Sequence, residues 1–191
     1  MSSILLTPPA VEPVTLADAK AYLRVEHSED DAVISALIAG ARSHIEAQTR
    51  RALITQTWRL VRDAWPREGR IAVAPSPLRQ IIAARVYRED GSALVIDLQA
   101  FVSDKAAAPS IIAFPSWSLP APGRALAGIE IDIEAGYGAS PFNVPEPLRQ
   151  AIKLLVAHWY ENRGLIAAGQ SIATLPATVA ALLAPYRVLS L

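Results

Sequence analysis

Residues 128–134 read Gly-Ile-Glu-Ile-Asp-Ile-Glu, in which β-branched and acidic side chains alternate strictly from Ile129 to Glu134. Side chains on a strand alternate between two faces, so this run builds one wholly apolar face and one charged face. Wound as a helix it would scatter its isoleucines around the axis. The segment is therefore expected to be a strand with Ile129, Ile131 and Ile133 toward a core and Glu130, Asp132 and Glu134 toward water. Everything else in the chain has to accommodate a sheet at this point.

On both sides the period changes. Ile34, Ile38, Ala41 and Ile45 recur at helical spacing, widened by Val33 and Leu37, and so do Leu148, Ile152, Leu155, Val156 and Trp159. Thr15 followed by Asp18 has the form of a capping box, and Ser28-Glu29-Asp30-Asp31 repeats the signal with acids where a helix dipole favours them. Pro145 and Pro147 sit where a first helical turn tolerates proline. Helices are expected near 16–23, 29–50, 145–163 and 176–184, with Ile34, Ile38, Ile45, Ile152, Leu155 and Trp159 in their core. Between Thr57 and Phe142 fall six of the nine glycines and eight of the fifteen prolines. Short strands are expected there at 57–65, 71–74, 81–88, 93–97, 101–103 and 111–114. Glu89-Asp90-Gly91-Ser92 is the turn of a hairpin. The reading is an α+β fold: a helical bundle with an inserted small antiparallel β part, sheet or barrel. Its parts are 1–56, helical; 57–142, the β insertion; and 143–191, C-terminal helices and a tail arm that form one structural unit with the N-terminal helices.

Composition narrows the function classes. Eighteen basic residues balance eighteen acidic ones, whereas gripping nucleic acid through its phosphates needs a basic surplus. Absence of cysteine excludes thiol nucleophiles, disulfides and cysteine-based zinc sites. Neither a signal peptide nor a membrane span is expected, since no basic start precedes a long apolar run and no stretch is long enough to cross a bilayer. The 191 residues are 52% hydrophobic, a surplus suited to subunit contacts.

Candidate chemistry is thin. His27, His44 and His158 lack a second ligand at metal spacing. The acids at 28–31 read as helix capping, and those of 128–134 as a solvated strand face. Gly136-Tyr137-Gly138 lacks the lysine and hydroxyl of a phosphate loop. Arg59, Arg62, Arg67 and Arg70, near Trp58 and Trp65, read as the wet face of an edge strand, with a nucleic-acid stripe as the rival reading. No catalytic residue, metal or cofactor is expected. Trp159, Tyr160 and Arg163 combine aromatic and guanidinium groups as subunit contacts often do. Pro185 ends the last helix, leaving Tyr186, Arg187, Val188, Leu189 and Leu191 as an apolar arm expected to be mobile in a free subunit.

Several segments, taken in order, resemble the head–tail connector, or adaptor, proteins of long-tailed bacteriophages, prophages and phage-like gene transfer agents. They are the opening from Pro13 to Val25, the acidic start Ser28–Ile34, Leu53–Leu60, Ala135–Gly138 with Val144-Pro145, Ala157–Arg163, and Leu182–Arg187. The resemblance spans Pro13 to Arg187, in pattern only between about Arg67 and Arg124. It implies a virion protein at the head–tail junction, assembled in the bacterial cytoplasm. Subunits would form a ring, usually of twelve, beneath the portal protein, extend the channel for double-stranded DNA without binding it specifically, and carry the next connector (stopper) or the tail. It also implies that the C-terminal segment, here Pro185, Tyr186, Arg187, Val188, Leu189 and Leu191, grips the portal. Two readings from other classes stand beside it: a small enzyme with a carboxylate site on a helix-flanked β-barrel, and a nucleic-acid-binding packaging factor.

Overall fold

The computed structural model describes residues 2–115, 117–162 and 176–188. Among them are four α-helices and eight strands, a mixed α+β architecture as expected. Its contacts separate two compact units. The β unit holds residues 2–9, 55–137 and 188, and the helical unit holds 10–54 and the described part of 138–187.

The helical unit comprises α1 (Leu16–Leu23), α2 (Asp31–Thr49), α3 (Glu146–Glu161) and α4 (Ala177–Leu183). Thr15 caps α1 as its sequence predicts, its hydroxyl accepting from the Asp18 N–H at 3.0 Å. The acids at the start of α2 behave differently from expectation. Asp30 is the N-cap but makes no side-chain capping bond. Instead Asp31 pairs with Lys20 of α1 at 2.6 Å, and the Tyr160 hydroxyl of α3 donates to the Asp30 carboxylate. These acids tie three helices together. At its other end α2 stops on Arg50 in the left-handed region, φ 55°.

Ile34, Ile38, Ala41 and Ile45 of α2 are buried, together with Leu148, Ala151, Ile152, Leu155 and Val156 of α3 and Val179 and Leu183 of α4. Val33 is exposed and Leu37 half-buried, so the apolar stripe of α2 is narrower than the sequence implies. Trp159, expected in the core, is only half-buried.

The β unit contains β1 (Ser2–Thr7), β2 (Gln56–Arg62), β3 (Arg70–Ala72), β4 (Leu78–Tyr87), β5 (Ala93–Val95), β6 (Val102–Asp104), β7 (Ile111–Ala113) and β8 (Ile129–Ala135). They form a five-stranded sheet in the order β1-β2-β8-β4-β5 and a three-stranded sheet in the order β3-β7-β6. Every pairing is antiparallel. The hairpin read from Glu89–Ser92 joins β4 to β5.

One element was not anticipated. Ser2–Thr7, in the stretch assigned to the helical part, is a strand paired along β2. Its pairing makes β2 an interior strand rather than the edge strand expected. Leu60 of β2, Ile129, Ile131 and Ile133 of β8 and Ala84 and Val86 of β4 are buried on one sheet face. Trp65, Phe101 and Phe114 form an aromatic cluster with centroids 4.9–6.1 Å apart, and the Trp65 indole donates to the Pro120 carbonyl at 2.9 Å. Two buried serines join the segments flanking β4 and β7. The Ser76 hydroxyl accepts from the Ser110 N–H, and the Ser110 hydroxyl from the Leu78 N–H, each at 3.1 Å.

Leu155 lies at the centre of the helical core, 1% exposed. Leu155→Ala is expected to lower unfolding free energy by about 2–5 kcal/mol, measured by urea denaturation of the isolated chain. An unchanged midpoint would mean this face is not a core.

Candidate interaction surfaces

The acids of β8 were expected to face water, and the structure corrects this. Asp132 is only 6% exposed. Arg59 of β2 holds it from one side through two bonds of 2.7 and 3.0 Å, and Arg85 of β4 reaches it from the other at 2.7 Å. Arg59 also meets Glu130 at 3.1 Å, and the Tyr87 hydroxyl donates to Glu130 at 2.9 Å. Glu134 pairs with Arg79 at 2.8 Å. Cross-strand neighbours thus convert an acidic face into a ladder of ion pairs across three strands. Burial pushes the Asp132 carboxyl up, but hydrogen bonds from Arg59 and then Arg85 outweigh it and hold it below the usual carboxylate range. Its hydrogen bond to Glu130 pushes the Tyr87 phenol up. Clamped by two guanidiniums, the Asp132 carboxylate has its oxygens engaged, and the ladder ties three strands together.

The arginines do not converge into a nucleic-acid stripe. Arg59 lies opposite Asp132 and Arg62 opposite Ile129, on opposite faces of the sheet. Arg62 is buried on the apolar face, 7% exposed, and donates to the Val61 carbonyl at 3.3 Å. That burial lowers its pKa. Arg67 and Arg70 are exposed on and before β3.

The histidines are equally separate. His27 pairs with Glu29 at 2.7 Å on the surface. His44 packs edge-on against Trp159 with ring centroids 6.1 Å apart. His158 bonds to Asn162 one turn on. Among the described residues no group of three or more His, Asp or Glu side chains is placed to hold a metal, and no helix is long and apolar enough to cross a membrane.

What remains are surfaces. Of the residues assigned to subunit contact, Trp159 and Tyr160 are half-buried and engage His44 and Asp30 within the helical unit; Arg163 lies outside the described residues. In the expected arm, Pro185 and Arg187 are exposed. The Tyr186 carbonyl accepts from Arg51 at 2.7 Å, and Val188 is buried, 7% exposed. Tyr186 and Val188 thus have contacts within their own chain. Leu189 and Leu191 lie outside the described residues. An open groove of about 350 Å³, lined by Val11, Val14, Leu16 and Ile38 among others, adjoins the start of α1. The sheet margin β1 was missed as a surface. Its signal was legible: Ile4-Leu5-Leu6, an apolar run closed by Pro8-Pro9.

The profile of the phage gp6-like head-tail connector proteins matches residues 13–91 and 121–187. The chain belongs to that family. It is a head-tail connector, a structural subunit rather than an enzyme. No curated protein matches the chain. Solved structures do. A chain in the neck of an empty gene transfer agent particle, computed with C6 symmetry, is 26% identical with a TM-score of 0.82, covering 100% of this connector and 97% of that chain. One in the virion of a native gene transfer agent particle gives the same values. A third, in the neck of a native particle computed with C12 symmetry, is 27% identical with a TM-score of 0.73, covering 98% and 97%.

Asp132→Asn leaves Arg59 and Arg85 without their counter-charge. It is expected to cost about 3 kcal/mol at neutral pH, the low end for a broken buried pair since both guanidiniums are partly exposed. Because the folded carboxyl titrates below its unfolded value, its contribution is complete above about pH 4 and fades as pH falls further. Urea unfolding of both chains from pH 7 to pH 3 should show the gap closing only at the acid end.

Proposed function

We propose that this connector is one subunit of a ring, of twelve copies, at the head–tail junction of a phage or phage-like particle. The carrying observation is the likeness to neck subunits over essentially the whole of both chains. The C6 and C12 symmetries of those necks are those of rings. In this reading the portal protein lies on one side and the next connector or the tail on the other. Double-stranded DNA passes through without specific binding, consistent with a net charge of zero and with arginines engaged by acids on their own sheet. The ring assembles in the bacterial cytoplasm before the particle is complete.

The C-terminal segment is the portal contact in this proposal: Pro185, Tyr186, Arg187, Val188, Leu189 and Leu191. Exposure of Pro185 and Arg187 supports it, and the Tyr186–Arg51 bond supplies a fixed base from which the last residues reach a partner. Trp159, Tyr160 and Arg163 contribute to the contact between neighbouring copies, the first two through the parts of their rings left exposed.

Native mass measurement of the purified chain, alone and mixed with portal rings, tests the reading. A portal-dependent complex carrying twelve copies is expected, and no association at any ratio would overturn it. Deleting Leu189–Leu191 keeps Tyr186 and Val188 in place. It should abolish portal attachment while shifting the melting temperature by less than about 2 °C, the effect of a loss under roughly 0.5 kcal/mol. Attachment at wild-type affinity would remove the arm from the portal contact.

A further inference from the structure

Among the described residues, both margins of the five-stranded sheet lack a further strand: β1 pairs only with β2, and β5 only with β4. All six residues of β1 are exposed, including Ile4 at 49%. Proteins protect an exposed edge with charge, proline, a short length or covering structure. Ser2–Thr7 contains no charged residue and no proline, and its prolines come only after it ends. At the far margin Val95 of β5 is 71% exposed.

The two margins match. Ile4 stands opposite Arg59, and Arg59 opposite Asp132. Val95 stands opposite Arg85, and Arg85 opposite Glu130. Directly opposed residues share a face, as do Asp132 and Glu130 two apart on one strand. Ile4 and Val95 therefore lie on the same face, at either end of the ion-pair ladder. Leu5 and Leu94 share the other face by the same route through Trp58–Ile133 and Val86–Ile129. Every neighbouring pair in the sheet is antiparallel and three strands separate the margins, so β1 and β5 run in the same direction.

We propose that β1 of one copy pairs in parallel with β5 of the next, carrying the sheet from subunit to subunit. This rests on the ring reading above. A closed ring needs two different surfaces on one chain, brought together by rotation alone. Two open margins of one sheet, with the same strand direction and apolar residues on matching faces, meet that requirement. Pairing of β1 with its own copy would need a two-fold axis and would stop at a dimer. The seam covers Ile4 with Val95 on one face, and in the same register Ser3 stands beside Leu94 on the other. β5 offers only three residues, so each seam is weak alone, and closure of the whole ring makes it persist.

The chain has no cysteine, so Ile4→Cys with Val95→Cys introduces the only two thiols. Within one copy they are separated by four strand spacings, roughly 19 Å, beyond the reach of a disulfide, whose Cα atoms lie within about 7 Å. Oxidation of assembled particles carrying this variant, followed by a non-reducing gel, is expected to give a ladder of covalent multimers extending to the full ring. Either single variant should give monomer. If the double variant does not enter particles, Ser3→Cys with Leu94→Cys, neighbours in the same register, is expected to give the same ladder. Twelvefold necks that yield only monomer, after oxidation and after a short thiol-to-thiol linker, overturn the strand pairing and leave the ring reading standing. Dimers from Ile4→Cys alone overturn it in favour of a two-fold contact. Wild-type necks lacking a ring of this chain overturn both.

Discussion

A carboxylate buried in the middle of a sheet determines which residues of three strands may face each other. Asp132 sits on β8, and its counter-ions come from the strands on either side, Arg59 on β2 and Arg85 on β4. A slip of one residue in either pairing would turn a charged side chain toward the isoleucine face. It would leave Asp132 buried beside one guanidinium or none, at a cost of several kcal/mol. The isoleucines of β8 supply the hydrophobic drive, but any alternating apolar strand would satisfy them. Charge selects the register.

That selection explains what was legible in the sequence. Alternation in 128–134 disclosed the strand and its apolar face, helical periodicity disclosed α2 and α3 nearly to their ends, and the Thr15 cap disclosed the start of α1. The charged face was misread, since a row of acids looks the same whether water or arginine opposes it. Only the pairing of β2 and β4 with β8, across separations of dozens of residues, distinguishes the two. Arg59 and Arg62 were misread for a related reason. Their interior position depends on β1, without which β2 reads as an edge strand. At 28–31 the acids carried a true helix-start signal, yet Asp30 and Asp31 turned to Tyr160 and Lys20 because tertiary partners outcompeted local capping.

The interaction surfaces were less readable than the fold. Apolar residues in a tail look alike whether they cover their own chain or another. Val188 proves to be covered at home, while Pro185 and Arg187 are not. Trp159 continued the apolar stripe of α3 in sequence. In the helical unit the ring meets His44 at the margin of the packed face, so the stripe reaches the surface before it ends. Periodicity reports which side of a helix is apolar, and the neighbouring helices decide how far along it burial extends.

A subunit that works by assembly must also avoid assembling wrongly. On the ladder face, Arg59, Arg79 and Arg85 are matched by Glu130, Asp132 and Glu134. Three cations against three anions leave this face neutral, with its hydrogen-bonding capacity turned inward. Such a surface gives a stray acidic or basic partner little to hold. In the proposed seam, recognition rests instead on strand margins and the apolar side chains beside them. Backbone pairing is tolerant of side-chain identity but strict about direction and reach. It suits contacts that must repeat identically around an axis, where weak seams are acceptable because each copy is held from two sides.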